Sequence, residues 1–512
     1  MDKQTQKLFL LAVFLAFVAR ASAFVSPTFN VDDLWYWARD FDFVTSTVAF
    51  REGRFFGPWL YEFQYALGVN APRAFAFSAA FLTACLAATS TMVCRIWKIE
   101  GNAMASVLAV AVLTLHPYQT DLYTWKLAML SGGIPFVMTM WALIIAPRGA
   151  LQFAGALVLI VLAFGIHQIP LEYAAAALVL AVPIHLARGN FVLREWLRMV
   201  AALTVGTILY VIVAKLTIYY TTHFESVGRD SLIVLSDPML VVDRVEELVG
   251  MFLLNDPLTG WLTRVILGVL LLTGCVGVFC APGTPIGRKF LVLFCLIASL
   301  AIAFLCVVAL TVVPTAWMPA FRNLMSANLL WAAVIVVAYL LSAVRIRKVV
   351  VGLVCLVLFG FMGTNGEILS DQQRANSRDV VLMSRISSDI EKLPDFARIK
   401  ALAFVGTNTA PLKNLRTGSD FSVGWYNYGT TLSVFSVWWP GYLVALYNEV
   451  NGSGMAYVQS EAALTTAYQY CAANKIWPGQ GAIKSMGDWV IVCVGPYREP
   501  EPGRFEPESE SE

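Results

Sequence analysis

Long apolar blocks separated by short polar joints fill the first 364 residues of the chain. A helix needs about 17–25 consecutive apolar residues to cross a bilayer. Eleven blocks approach that length, at 8–25, 72–94, 103–115, 127–146, 151–166, 172–187, 199–219, 261–281, 290–313, 327–343 and 349–364. The third, fifth, sixth and eleventh are the shortest. The stretch 248–254 is apolar but too short to cross, and reads as part of an interfacial or re-entrant loop. The pattern predicts an α-helical polytopic membrane protein with about eleven transmembrane helices.

Lys and Arg in the joints orient the spans. One set of joints carries thirteen cations, from Lys3 and Lys7 to Arg347 and Lys348, against the acids Asp2, Glu100 and Glu195. The opposite set carries nine cations against fifteen acids. The cation-rich side is therefore expected in the cytoplasm, with the N-terminus inside and everything after Thr364 outside. Ala21-Ser22-Ala23 behind the first block also fits a signal-peptide cleavage site, the alternative to a retained first helix.

From Asn365 the pattern becomes that of a soluble domain. Val380, Val381, Met383, Ile386, Ile390 and Leu393 recur near helical spacing, and 401–405 and 489–494 read as buried strands. The expected organisation is a transmembrane domain over 1–364 with a large first outer loop at 24–71, then an outer α/β domain over 365–497. An acidic tail at 498–512 is expected to be disordered.

Composition agrees: 58% of residues are hydrophobic and 14% charged, and the net charge is +2. Soluble domains carry about 25% charged residues. A near-neutral chain offers no basic field for nucleic acid, which excludes that partner class and leaves the lipid bilayer as the first one. Seven of nine cysteines lie in or beside the spans, where Cys acts as a small apolar residue. Cys471 and Cys493 lie alone in the outer domain and are expected to form a disulfide in an oxidising compartment. No CxxC, HExxH or Cys/His zinc spacing occurs, so no metal ligand set and no cofactor is firmly implied.

Polar chemistry concentrates at outer helix ends and in outer loops. Asp32 and Asp33 follow the first span, and Trp35, Tyr36 and Trp37 follow them. Adjacent carboxylates near lipid raise each other's pKa, so one can act as a base toward a hydroxyl, with a slight preference for Asp33. The same pair could hold a divalent cation. The aromatic residues can stack on a sugar or belong to the interfacial belt. Arg51 and Arg54 have the planar fork that suits a phosphate, and Lys126, Lys215 and Arg322 are further candidates for it. His167, Gln168 and Glu172, at a tight turn between two spans, are candidate substrate-binding residues. Arg20 and Lys215, near outer span ends, either snorkel to the headgroups or serve the site.

The multi-span plan, the long first outer loop opening on a carboxylate pair and the trailing soluble domain resemble GT-C glycosyltransferases. Asn30-Val31-Asp32-Asp33, continuing to Arg51-Glu52-Gly53-Arg54, resembles the bacterial O-antigen glucosyltransferase family responsible for serotype conversion. The resemblance implies transfer of a glucosyl unit from a polyprenyl-phosphate donor to a polysaccharide acceptor, lipid-linked O-antigen or a related one. The reaction would take place on the periplasmic face of the bacterial inner membrane, with a donor synthase and a flippase as partners. Competing readings are a transporter or flippase of lipid-linked sugar, a GT-C enzyme with another sugar or acceptor, and a non-catalytic assembly factor. The charged candidates lie toward one face and no internal repeat is found, which weighs against a transporter.

Overall fold

The computed structural model describes residues 2–30, 33–34, 53–70, 73–222, 237–254, 256, 258–280, 286–314, 320–407, 433–436 and 440–496. The expected tail at 498–512 lies outside the described residues, as do Asp32, Trp35, Tyr36, Trp37 and Arg51. The chain forms two compact units, the first running to Gln372 and the second from Gln373.

In the first unit the helices are α1 (Lys3–Ala19), α2 (Gly57–Ala66), α3 (Phe75–Ile96), α4 (Ala103–Leu115), α5 (Lys126–Ile145), α6 (Ala150–Ile166) and α7 (Ile169–Arg188). They continue with α8 (Leu193–Thr222), α9 (Pro238–Leu254), α10 (Trp261–Cys280), α11 (Ile286–Val312) and α12 (Ala327–Leu341). The last, α13 (Val344–Glu391), crosses the division between the units. Among the described residues seven helices are long and apolar enough to cross a bilayer: α3, α5, α7, α8, α10, α11 and α13. Helices α4, α6 and α12 are apolar but shorter.

Burial sorts these helices. The apolar window of α7 is 72% buried against 28% for α8, so α7 is a central helix and α8 a peripheral one. Small residues make the centre possible, because no hydrophobic effect drives helices together in lipid and close packing must do it. Ala174, Ala176, Ala177 and Ala181 of α7 are wholly buried. At Gly133, a Cβ would come within 2.6 Å of Cys85 Cβ, so glycine sets the separation of α3 and α5.

Three expectations change. The stretch 248–254 is not a loop; it ends α9, which buries Arg244, Leu248, Met251 and Phe252 on one face. Asp243, Glu246 and Glu247 occupy the other face and interrupt the apolar run, which conceals a helical period. The last span and the helix expected after 370 are one helix of 48 residues, because the weak helix formers between them are held by tertiary bonds. Asn365 there donates to Leu115 O at 2.8 Å and accepts from Thr120 Oγ1 at 2.6 Å. Finally, Arg20 does not snorkel: it is 1% exposed and ends α1 inside the bundle.

Arg20 belongs to a recurring arrangement. Helix C-termini leave carbonyls without intrahelical partners, and cations there also meet the negative end of the dipole. Arg20 donates to Thr114 O and His116 O at the end of α4. Arg244 donates to Val312 O and Pro314 O at the end of α11, and Arg347 to Leu340 O and Ser342 O at the end of α12.

The second unit contains strands β1 (Ala401–Val405), β2 (Ala456–Tyr457), β3 (Ile483–Ser485) and β4 (Trp489–Cys493), with helices α14 (Pro440–Asn451) and α15 (Glu461–Ala473). The sheet order is β2-β1-β4-β3; β1 runs parallel to β2 and β4, and β3 is antiparallel to β4. The Sγ atoms of Cys471 on α15 and Cys493 on β4 are at bonding distance, with Cα atoms 5.4 Å apart. Closing this loop is worth about 3 kcal/mol in the chain-entropy model. Thiol labelling of the denatured, unreduced protein is expected to spare both; modification of either contradicts the bond.

Asp379 lies beyond the apolar part of α13. Its carboxylate accepts from Ser433 Oγ and Val434 N, both at 2.6 Å. Burial pushes its pKa up to about 7, against those donors. A carboxyl raised in the fold binds its proton more tightly there than in the unfolded chain, so stability falls as pH rises. The contribution is full below the ordinary aspartate value of about 3.9 and is lost as pH passes 7. Melting of the wild type relative to Asp379→Asn should therefore be higher at about pH 5 than at about pH 9.

Candidate active site

The polar groups of the first unit gather where α4 stops and α5 begins. Pro117 ends α4 and opens a single 3₁₀ turn, Pro117–Thr120, followed by one helical turn, Asp121–Thr124, before α5 starts at Lys126. A chain reversing direction here exposes the last carbonyls of α4 and the first amides of α5, and each set finds side chains from distant parts of the sequence.

The carbonyls take Arg20. Its Nε also donates to Thr120 Oγ1 at 2.8 Å, and its guanidinium lies 4.9 Å from the centre of the Tyr123 ring. No carboxylate pairs with Arg20 among the described residues; the helix end and the aromatic face take that place. Next to it His116 is buried, and burial together with the Arg20 charge lowers its pKa to about 3, so the imidazole is neutral.

The amides take Asp33. Its Oδ1 accepts from Leu127 N at 2.6 Å, and its Oδ2 accepts from Lys126 N at 3.2 Å and from Asn30 N at 2.7 Å. Asp33 thus caps α5 from outside the helix and is fully buried. Burial outweighs the three amides and the Lys126 charge and raises its carboxyl above the usual range. Gln372 of α13 binds the same two strands of chain, donating to Phe29 O at 3.2 Å and Thr124 O at 2.9 Å.

A second carboxylate, Asp121, is 1% exposed and accepts from Arg322 N at 2.9 Å, with Arg322 Nη1 at 3.5 Å. The Arg322 guanidinium stacks 4.1 Å from the centre of the Trp125 ring. Around this cluster His116 Nε2, Gln119 Oε1 and Trp125 Nε1 are buried without a hydrogen-bond partner among the described residues. Buried polar atoms are rarely left so, and such atoms are where a ligand or water is expected.

A separate group forms at the junction of α6 and α7. Arg54 Nε donates to Gln168 Oε1 at 3.4 Å, and Gln168 Nε2 donates to Tyr210 OH at 2.7 Å. Phe56 N donates to Gly165 O at 2.8 Å, and Phe55 lies over Gly165 so closely that a Cβ there would come within 2.6 Å of its ring. Glycine at 165 is what admits the segment carrying Arg54.

The sequence-derived candidates therefore separate. Asp33 and Lys126 meet, and so do Arg54 and Gln168. Lys126 is fully buried, and its ammonium donates to Tyr123 O at 2.7 Å. His167 Nδ1 accepts from Ile169 N at 3.3 Å, at the start of α7. Glu172 turns inward: Oε1 accepts from Leu310 N at 2.6 Å, while Oε2 has no partner among the described residues. Lys215 is exposed on α8, next to Ala214, which flanks Gly53. Among the described residues no group of three or more His, Cys, Asp or Glu could hold a metal ion. Tyr210, Gln372 and Asn365 were not legible as site residues, since nothing in their local sequence marks them. Arg20 did carry a signal, a charge inside an apolar run.

A family model described as "Glucosyl transferase GtrII" matches residues 21–316, more than half of the chain and all of the clusters above except Arg20, Arg322, Asn365 and Gln372. No curated protein and no solved structure matches.

Proposed function

Because the chain belongs to the GtrII glucosyl transferase family and is a membrane glycosyltransferase, we propose that it moves a glucosyl unit from a polyprenyl phosphate to a hydroxyl of lipid-linked O-antigen or a related surface polysaccharide. The reaction belongs on the periplasmic face of the bacterial inner membrane, with the N-terminus in the cytoplasm and the second unit outside. A synthase that loads the polyprenyl phosphate and a flippase that brings it across are the partners this requires.

The acceptor oxygen attacks the anomeric carbon, the bond from that carbon to the phosphate oxygen breaks, and the configuration inverts in one displacement. A carboxylate takes the hydroxyl proton and the polyprenyl phosphate leaves as an anion. Asp33 already accepts three amides, which supports a division of labour in which Asp33 fixes the loop and Asp32 takes the proton. Arg51, Arg54 and Arg322 meet the phosphate, and Trp35, Tyr36 and Trp37 stack on the sugars. Lys126, buried on Tyr123 O, supports the loop.

The observation that carries this reading is the gathering at one helix junction of Asp33, Asp121, Arg322 and buried polar atoms that have no partner among the described residues. A lipid-borne donor and the hydrated sugar chain of a lipid-linked acceptor can both reach helix ends, whereas a transport route needs its polar groups near mid-bilayer. Membranes containing the protein should transfer label from polyprenyl-phosphate glucose to the lipid-linked acceptor. Absence of transfer, with the acceptor intact and the protein expressed, refutes the assignment of donor or acceptor.

A further inference from the structure

Tyr210 lies on α8, 42 residues from Gln168 and 157 from Gly53, yet its hydroxyl closes a ring of hydrogen bonds around the segment that carries Arg54. The hydroxyl receives Gln168 Nε2 at 2.7 Å and donates to Gly53 O at 3.4 Å. Gln168 in turn accepts from Arg54 Nε at 3.4 Å. Both ends of the Gly53–Arg54 peptide are thereby referred to one phenol: the carbonyl directly, the guanidinium through an amide. Aromatic packing fixes the phenol, with Phe55 stacked at 6.3 Å and Phe164 edge-on at 5.8 Å between ring centres. Gly53, at φ +72°, permits the turn that brings its carbonyl to Tyr210, and a side chain there would press on Tyr210 and Ala214 at 3.1 Å.

An arginine that binds a phosphate through two parallel hydrogen bonds needs its plane set as well as its charge in place. Engaging Nε sets that plane, because rotation about the last side-chain bond would break the bond to Gln168. We infer that Tyr210, acting through Gln168, is a positioning residue that orients Arg54 toward the phosphate of the donor. The inference rests on the assignment of Arg54 to that phosphate. Gln168, expected from the sequence to touch substrate, becomes the link between the two.

Tyr210→Phe removes the hydroxyl and its bonds to Gln168 and Gly53 but keeps the ring packing, so the fold should be retained, with at most a small fall in melting temperature. Loss of this hydroxyl from the relay should raise KM for polyprenyl-phosphate glucose by about three- to tenfold. KM for the acceptor and kcat should stay within about twofold. In the Arg54→Ala background, whose donor KM is expected to be raised by about tenfold or more, Tyr210→Phe should add nothing. An equal rise in both backgrounds, or no rise in the wild type, overturns the inference and leaves the role of Arg54 standing. An unchanged donor KM in Arg54→Ala overturns the phosphate assignment and the inference with it.

Discussion

Asp32→Asn is expected to lower glucosyl transfer by about 10²–10⁴-fold, the usual contribution of a positioned base, while the melting temperature stays that of the wild type. Asp33→Asn should lower both. Its amide group cannot accept at both ends, so at least one of the donors Asn30 N, Lys126 N and Leu127 N would face an NH₂ in a buried site. That mismatch costs about 1–3 kcal/mol. Removing the negative charge beside the buried Lys126 adds to the loss. Transfer of labelled glucose and thermal melting of the solubilised protein, measured on the same preparations, separate the two carboxylates. Wild-type melting with no transfer in Asp33→Asn, together with an active Asp32→Asn, would reverse the roles.

Arg20→Met is expected to destabilise the first unit by about 2–6 kcal/mol, because two buried carbonyls, Thr114 O and His116 O, lose their donor at about 1–3 kcal/mol each. Methionine fills much of the volume, so packing loss is the smaller part. Arg20→Lys should recover only part: an ammonium keeps the charge at the end of α4 but lacks the planar spread that reaches Thr114 O, His116 O and Thr120 Oγ1 together. Transfer should fall with stability, since the same residues lead directly into Asp121 and Lys126. A melting temperature unaffected by Arg20→Met would mean that water can reach the end of α4 and replace the guanidinium.

Hydrophobic pattern made the membrane architecture readable, because crossing a bilayer imposes a length that no other environment does. Boundaries were less readable where a polar residue inside an apolar run is satisfied by distant partners. Arg20 ends α1 through atoms of α4, and Asn365 keeps α13 helical through Thr120 and Leu115. The same limit governed the site. Asp33 stands out in the sequence as a carboxylate at the end of a span, but the amides it caps are 93 and 94 residues away. Glu172 and Lys126 sit at helix starts, where an outward-facing and an inward-facing charge look alike in one dimension. The acids of α9 concealed a helix because its period, not its apolar content, was the signal.

The guanidinium at the end of α1 has a consequence for the order in which the chain is made. Arg20 emerges from the ribosome about 94 residues before Thr114, whose carbonyl it will hold. At about 5–20 residues per second this interval lasts on the order of 5–20 s. Through that time α1 carries an ionic group whose eventual partners, in α4 and the turn after it, have not yet been made. Helix α1 thus waits for α4 before its arginine is paired, and a nascent chain halted before Thr114 would present that unclaimed charge to the insertion and degradation machinery of the membrane.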